Sequence, residues 1–204
     1  MARRILLAAG IVIVVALVLS QVLLPGYASK RIEDRLTEGG GTASASVDAF
    51  PAARLVFGDG DKLTVSGSGL DLPLDSNQDV FGRLDGFDSV DVHLDDFRAG
   101  PFAVTSFELT RNGSDSYQLV TSSTTTGADL VGYGAEQLGI PGVPLLQFFA
   151  GRAPEGNQEI PIHLDMGLES DDGRIRVVSG GGTVAGYPAG PLAELITAAI
   201  VVRL

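Results

Sequence analysis

Apolar and polar residues alternate with a period of two along much of this chain. The longest such run carries apolar side chains at Ile160, Ile162, Leu164, Met166 and Leu168. Because successive side chains of a strand point to opposite faces, the run predicts a strand whose five apolar residues face the interior together. Shorter runs of the same kind predict further strands at 63–65, 70–74 and 90–95.

Two short turn sequences separate pairs of these runs. Asn112-Gly113 lies between 107–109 and 117–119, and Asn-Gly suits a type I′ hairpin turn. Asp171-Asp172-Gly173 separates 160–169 from 174–178. Strands with one polar face that are joined by short turns indicate an antiparallel sheet.

Helical patterns are fewer, so the class predicted is α+β with a dominant antiparallel sheet. Residues 29–38 read as a short helix with Ser29 as N-cap, and Ile32 and Leu36 share one face. Weaker helical patterns occur at 50–57, 128–138 and 191–199.

The N-terminal segment predicts export. Arg3 and Arg4 precede residues 5–24, which carry no charge. Twenty helical residues span about 30 Å, which matches a bilayer core. The segment is therefore a transmembrane anchor or a secretory signal cleaved before Ser29. We expect 1–28 to be this segment and 29–204 to form one domain, outside the cytoplasmic membrane because the arginines stay inside.

Charge and composition narrow the function classes. The chain has 25 acidic and 14 basic residues, a net charge of −11. That balance argues against nucleic-acid binding, which needs clustered Lys and Arg. With no basic patch visible, we expect membrane affinity to come from apolar contact. The absence of cysteine excludes disulfides, thiolate metal sites and cysteine nucleophiles.

The sequence offers no recognisable catalytic motif. We find no nucleophile elbow, zinc-protease, phosphate-loop or dinucleotide-binding pattern. His93 and His163 occupy polar positions of predicted strands, and we interpret them as solvent-facing. We therefore expect no catalytic residue and no cofactor.

One segment has part of a calcium-loop pattern. Asp75, Asn77 and Asp79 have the spacing of the first oxygen ligands. Val80 then stands where the loop needs glycine, and Gly86 where it needs glutamate. We interpret the segment as a polar loop and expect no metal site.

Residues 140–151 form an uncharged segment with two prolines, which argue against one regular helix. The segment is a turn packed in the core, the lining or gate of an apolar ligand site, or a loop that dips into a membrane. On the second interpretation the candidate lipid-binding residues are Leu145, Leu146, Phe148 and Phe149.

The chain resembles the LmeA family of actinobacterial envelope proteins, which are described as phospholipid-binding. Four features carry the resemblance. The first is the apolar N-terminal segment followed by the charged helix 29–38, and the second is Phe50-Pro51, which leads through Leu55 and Gly58 to the strand 63–65. The third is the sequence GFDSVDV at 86–92, and the fourth is the strand 102–110.

The resemblance implies a curved antiparallel sheet packed around one or two helices, preceded by the N-terminal apolar helix. It also implies non-catalytic phospholipid binding that supports envelope glycolipids such as lipomannan. The expected partner is thus a phospholipid or membrane surface, contacted through apolar side chains, and no protein partner is indicated. Two alternatives stay open, a ligand-free envelope scaffold and a carboxylate-dependent hydrolase.

Overall fold

A computed structural model describes residues 2–73, 81–112, 116–129, 158–171, 173–184 and 187–188, without the side chains of 2–17, 19, 112, 174, 184, 187 and 188. Its long helix is α1 (Ala2–Leu36), and two 3₁₀ helices cover Ala52–Phe57 and Phe81–Arg83. The strands are β1 (Thr42–Asp48), β2 (Gly60–Ser68), β3 (Asp71–Leu72), β4 (Phe87–Ala99), β5 (Phe102–Asn112), β6 (Ser116–Thr126), β7 (Glu159–Asp171), β8 (Arg174–Val184) and β9 (Tyr187–Pro188).

The described strands form one curved, open sheet in the order β1-β2-β4-β5-β6-β7-β8-β9, with β3 also beside β4. The α+β class is confirmed. The sheet is mixed, however, because β2 and β3 both pair with β4 in parallel. The other strand pairs are antiparallel, so the predicted dominance of antiparallel pairing is confirmed, and only this junction departs from it, for a topological reason. Parallel neighbours need a crossover instead of a tight turn, and the chain makes one between Leu72 and Phe87.

The two predicted hairpins are confirmed as strand pairs. β5 and β6 are antiparallel, with Arg111 opposite Tyr117, although Gly113 itself lies outside the described residues. β7 and β8 are antiparallel up to the pair Asp171 and Arg174. Gly173 closes that turn with φ 79°, a left-handed conformation in which glycine avoids the steric cost of a side chain.

The predicted interior face of β7 is also confirmed. Its five alternating apolar residues are each at most 2% exposed. They belong to a core that continues across the sheet through Val65, Val92, Leu109 and Leu119. The period of two is thus explained by one sheet face that is buried along its length.

Helix α1 covers the free edge of β1. Ser29 Oγ accepts a hydrogen bond from the backbone N–H of Val47 at 3.1 Å, and Glu33 Oε1 accepts one from Ala45 at 2.8 Å. These contacts satisfy donors that an edge strand would otherwise leave open. The prediction of Ser29 as N-cap is wrong, because the helix runs through it and its hydroxyl serves the strand instead.

The C-terminal half of α1 joins the core as the spacing predicted, with Ile32 and Leu36 both buried. In the part of the chain whose side chains are described, no helix is both long and apolar enough to cross a membrane. The pattern at 50–57 is confirmed as the 3₁₀ helix that follows Pro51. The helix predicted at 191–199 and, beyond Asp129, the one at 128–138 lie outside the described residues.

Candidate functional site

A groove of about 610 Å³ opens between the C-terminal half of α1 and the end of the sheet where β2 and β4 begin. We call it the helix groove. One side is α1, the second is the first 3₁₀ helix with Gly58 and Asp59, and the third is the segment 82–87. Its apolar lining includes Ile32, Val47, Leu55, Leu63, Leu84 and Phe87.

The charged part of the groove lining consists of three arginines and two aspartates, Asp59 and Asp85. Arg31 and Arg35 lie one turn apart on α1, and Arg83 approaches from the crossover connection. None of these three arginines forms an ion pair with any described residue. The fold thus brings arginines that are separated in the chain to one groove.

Asp85 fixes the third wall of the groove to the sheet. The Tyr117 hydroxyl, from β6, donates to Asp85 Oδ1 at 2.8 Å, and the Ser170 hydroxyl, from β7, donates to Oδ2 at 2.5 Å. Burial, reinforced by the Asp85 hydrogen bond, raises the pKa of the Tyr117 phenol far above its usual range. The phenol is therefore a neutral, permanent donor to this carboxylate.

The Arg111 side chain fixes the same wall by bonding to the backbone of the segment 82–87. Its Nη1 atom donates to the carbonyl oxygens of Leu84, Asp85 and Phe87 at 3.0, 2.8 and 2.7 Å. The residue is only 7% exposed, and its guanidinium lies 5.4 Å from the ring centre of Tyr117. A buried cation held by several acceptors makes the wall rigid before any ligand arrives.

Two glycines join the second and third walls. The N–H of Gly60 donates to the carbonyl oxygen of Gly86 at 2.9 Å. A Cβ atom on Gly86 would collide with the carbonyl oxygen of Gly58, so only glycine fits there. The groove outline thus depends on a close backbone approach.

The structure does not describe the sequence-predicted site residues. Leu145, Leu146, Phe148 and Phe149 lie outside the described residues. The interrupted calcium pattern at 75–79 does so too. Among the residues that are described, no three His, Asp or Glu side chains are placed to hold a metal ion.

Both histidines are confirmed as solvent-facing strand residues. His93 Nε2 lies 3.0 Å from Asp95 Oδ2 and its Nδ1 3.4 Å from Glu108 Oε1, with half of the side chain exposed. His163 Nδ1 lies 3.0 Å from Ser122 Oγ, and His163 is exposed whereas Ser122 is half-buried. No described carboxylate orients His163, so this pair lacks the third group of a nucleophile–base arrangement.

Sequence reasoning missed the helix groove, although part of its pattern was visible. Arg31 and Arg35 are four apart, a spacing that places both on one helix face. Nothing local indicates that Arg83 or Asp85 joins them, since the crossover connection decides that. An apolar lining beside arginines that have no ion-pair partner in the described part of the chain can accommodate an amphiphile with an anionic head.

Comparisons of the chain with protein-family models, with curated proteins and with solved structures found no match.

Proposed function

We propose that this protein binds phospholipid in the cell envelope, on the outer side of the cytoplasmic membrane, without catalysing a reaction. Its role is to support the synthesis or maintenance of envelope glycolipids of the lipomannan type. The observation that carries the binding proposal is the helix groove, which combines an apolar lining with three arginines that have no ion-pair partner among the described residues.

The apolar lining suits an acyl chain. Ile32, Leu55 and Phe87 lie along the groove, and Leu55 and Phe87 are only half-buried. Each methylene that a lipid removes from water there contributes about 0.8 kcal/mol. An acyl chain that these side chains cover only in part therefore still gains binding free energy, which offsets the cost of ordering the lipid.

The arginines suit the phosphate of the headgroup. A guanidinium offers paired N–H donors that match phosphate oxygens, and a lipid phosphate supplies the missing counter-charge. In a chain of net charge −11, Arg31, Arg35 and Arg83 border one groove without an ion-pair partner among the described residues, and they outnumber the two aspartates of its lining. A ligand-free scaffold gives no reason for that arrangement, whereas the resemblance to the LmeA family implies the same ligand class.

The N-terminal segment supports the envelope location. Arg3 and Arg4 precede the uncharged residues 5–24, and either an anchor or a signal exports the domain. Because α1 runs without interruption from Ala2 to Leu36 and Ala28 lines the groove, the anchor is the arrangement we favour.

Lipid retention by arginine variants tests the binding proposal. The full chain is purified in detergent, taken through exhaustive detergent exchange and assayed for phospholipid by mass spectrometry. We expect the parent to retain phospholipid and the triple variant Arg31→Gln, Arg35→Gln, Arg83→Gln to lose most of it. The matched control is Arg98→Gln with Arg176→Gln, which alters exposed arginines outside the groove. A lipid-free parent, or equal retention in all three proteins, contradicts the proposal.

A further inference from the structure

The first 3₁₀ helix and the residue before Pro51 present large apolar side chains to solvent. Phe50 is 77% exposed, Val56 69% and Phe57 84%. We call these three residues the 3₁₀ ridge. Ala52 and Leu55, three apart and so on one face of the 3₁₀ helix, point inward instead. The helix thus buries the face that carries Ala52 and Leu55 and exposes the face that carries the aromatic ring of Phe57.

The ridge is held in place by polar contacts at its base. Asp61 Oδ2 accepts from the backbone N–H of Phe50 at 2.7 Å, and Asp61 Oδ1 accepts from Arg54 Nη1 at 2.7 Å. The N–H of Gly58 closes the last turn by donating to Leu55 at 3.2 Å. Arg54 and Asp61 neutralise each other at the base, which lowers the cost of moving the ridge into an apolar phase.

The ridge lies beside α1, where the uncharged run ends. Phe57 and Ala28 border the same groove, which places the ridge next to this part of the helix. Ala28 follows Leu24 by four residues, a rise of about 6 Å along a helix axis. Side chains of α1 are exposed just before this level, at Val18, Val22, Leu23 and Tyr27. Two separate elements therefore present apolar surface at one end of the domain.

We infer that the 3₁₀ ridge docks on the lipid bilayer, inserting Phe50, Val56 and Phe57 into the boundary between headgroups and acyl chains. Clustered exposed aromatic and aliphatic side chains mark such contact surfaces. The bilayer is the occupant because the ridge is adjacent to the helix that carries the uncharged run 5–24. Docking there turns the helix groove toward the membrane. The inference concerns a surface and holds whether or not the groove is occupied.

The chain contains no tryptophan, so a single introduced tryptophan reports its own surroundings. We choose Phe50→Trp and Val56→Trp, because neither residue lines the groove and a lipid held there cannot quench them by direct contact. The matched control is Val178→Trp. Val178 is also an exposed apolar residue, at 51%. It lies on β8, near the edge of the sheet opposite to β1.

Each full-length variant is reconstituted into phosphatidylcholine–phosphatidylglycerol vesicles with and without brominated acyl chains. We expect brominated lipid to quench the tryptophans at positions 50 and 56 several-fold more than the one at 178, and aqueous iodide to show the reverse order. Equal quenching at all three positions by brominated lipid overturns the inference. Protection from iodide at 50 and 56 without quenching by brominated lipid also overturns it and identifies a protein contact, such as a second copy. Because lipid retention is not read here, failure of the groove proposal leaves this contrast unchanged.

Discussion

The Tyr117 hydroxyl and the Asp85 carboxylate are hydrogen-bonded at 2.8 Å although 32 positions separate them in the chain. Tyr117 belongs to β6, near the middle of the sheet. Asp85 belongs to the segment 82–87, which forms the third wall of the groove. The edge of Phe81 contacts the Tyr117 ring, with ring centres 5.1 Å apart. The wall is therefore attached to the most buried part of the fold, and its position depends on Tyr117.

Tyr117→Phe tests that attachment. The variant keeps the ring and its contact with Phe81, but it removes one of two hydroxyl donors to Asp85. We expect a loss of about 1–3 kcal/mol in the free energy of unfolding, the cost of an unmade hydrogen bond to a charged group. Urea denaturation measures the loss. Tyr27→Phe is the control, since Tyr27 is exposed, and should leave stability unchanged.

The pH dependence of stability provides a second test of Tyr117. Its pKa is raised in the folded protein, mainly by burial, so the unfolded chain releases the phenolic proton more readily. The stabilisation is complete below the ordinary tyrosine pKa of about 10 and is lost as the pH rises above it. We expect the parent to lose more stability than Tyr117→Phe between about pH 9 and pH 11. Parallel curves for the two proteins contradict the assignment.

Arg111→Lys separates charge from geometry. Arg111 donates to three carbonyl oxygens of the wall through one guanidinium nitrogen, and its guanidinium carbon lies over the Tyr117 ring. A lysine keeps the charge but not the planar stacking or the fixed donor directions. We expect Arg111→Lys to lower the free energy of unfolding by about 2 kcal/mol or more through acceptors left unsatisfied. Arg98→Lys, on the exposed face of β4, should change it by less than about 0.5 kcal/mol.

The sequence predicts this fold well where the determining contacts are local. The alternation in β7 and the turn at Gly173 follow from neighbouring residues alone, and both are confirmed. The parallel pairing of Val65 with Val92 joins residues 27 positions apart through a crossover, for which the chain has no short signal. Ser29 shows a different failure. Serine does favour helix N-caps, but here the helix continues through Ser29. Its hydroxyl therefore accepts a hydrogen bond from the backbone N–H of Val47 on β1 instead.

The same distinction applies to the candidate site. Arg31 and Arg35 share a helix face by local spacing, so the sequence alone places two of the three groove arginines together. Arg83, Asp85 and Tyr117 come together only through the sheet order. The lipid-binding role assigned to Phe148 and Phe149 stays a prediction, since those residues lie outside the described part of the chain.

The interior face of β7 predicts opposite outcomes for adjacent residues. Leu164 is fully buried, whereas its neighbour His163 is exposed. We expect Leu164→Ala to cost about 2–5 kcal/mol through lost burial and a cavity, and Leu164→Asp to prevent folding by burying a charge. His163→Ala should cost less than about 1 kcal/mol, because its bond to Ser122 is solvent-exposed. Circular dichroism during thermal unfolding distinguishes the variants, and a reversed order would falsify the assignment of the faces.

Gly86→Ala tests whether the groove outline depends on the close approach of its two walls. The added methyl group meets the carbonyl oxygen of Gly58, a backbone atom that a rotamer change cannot move. The walls must therefore separate, which strains the hydrogen bond from Gly60 to Gly86. We expect a stability loss of about 1–3 kcal/mol, typical of overpacking, together with lower phospholipid retention per folded molecule.

Gly181→Ala is the matched control for Gly86→Ala, because a Cβ atom at Gly181 meets nothing within 4 Å. Its stability and lipid retention should equal those of the parent. If Gly86→Ala also retains the parent's lipid content while losing stability, the approach of the walls serves folding alone. Lipid binding must then be sought away from the helix groove. If it loses lipid with little change in unfolding free energy, the separation of the walls acts on the ligand directly, as the proposed function requires.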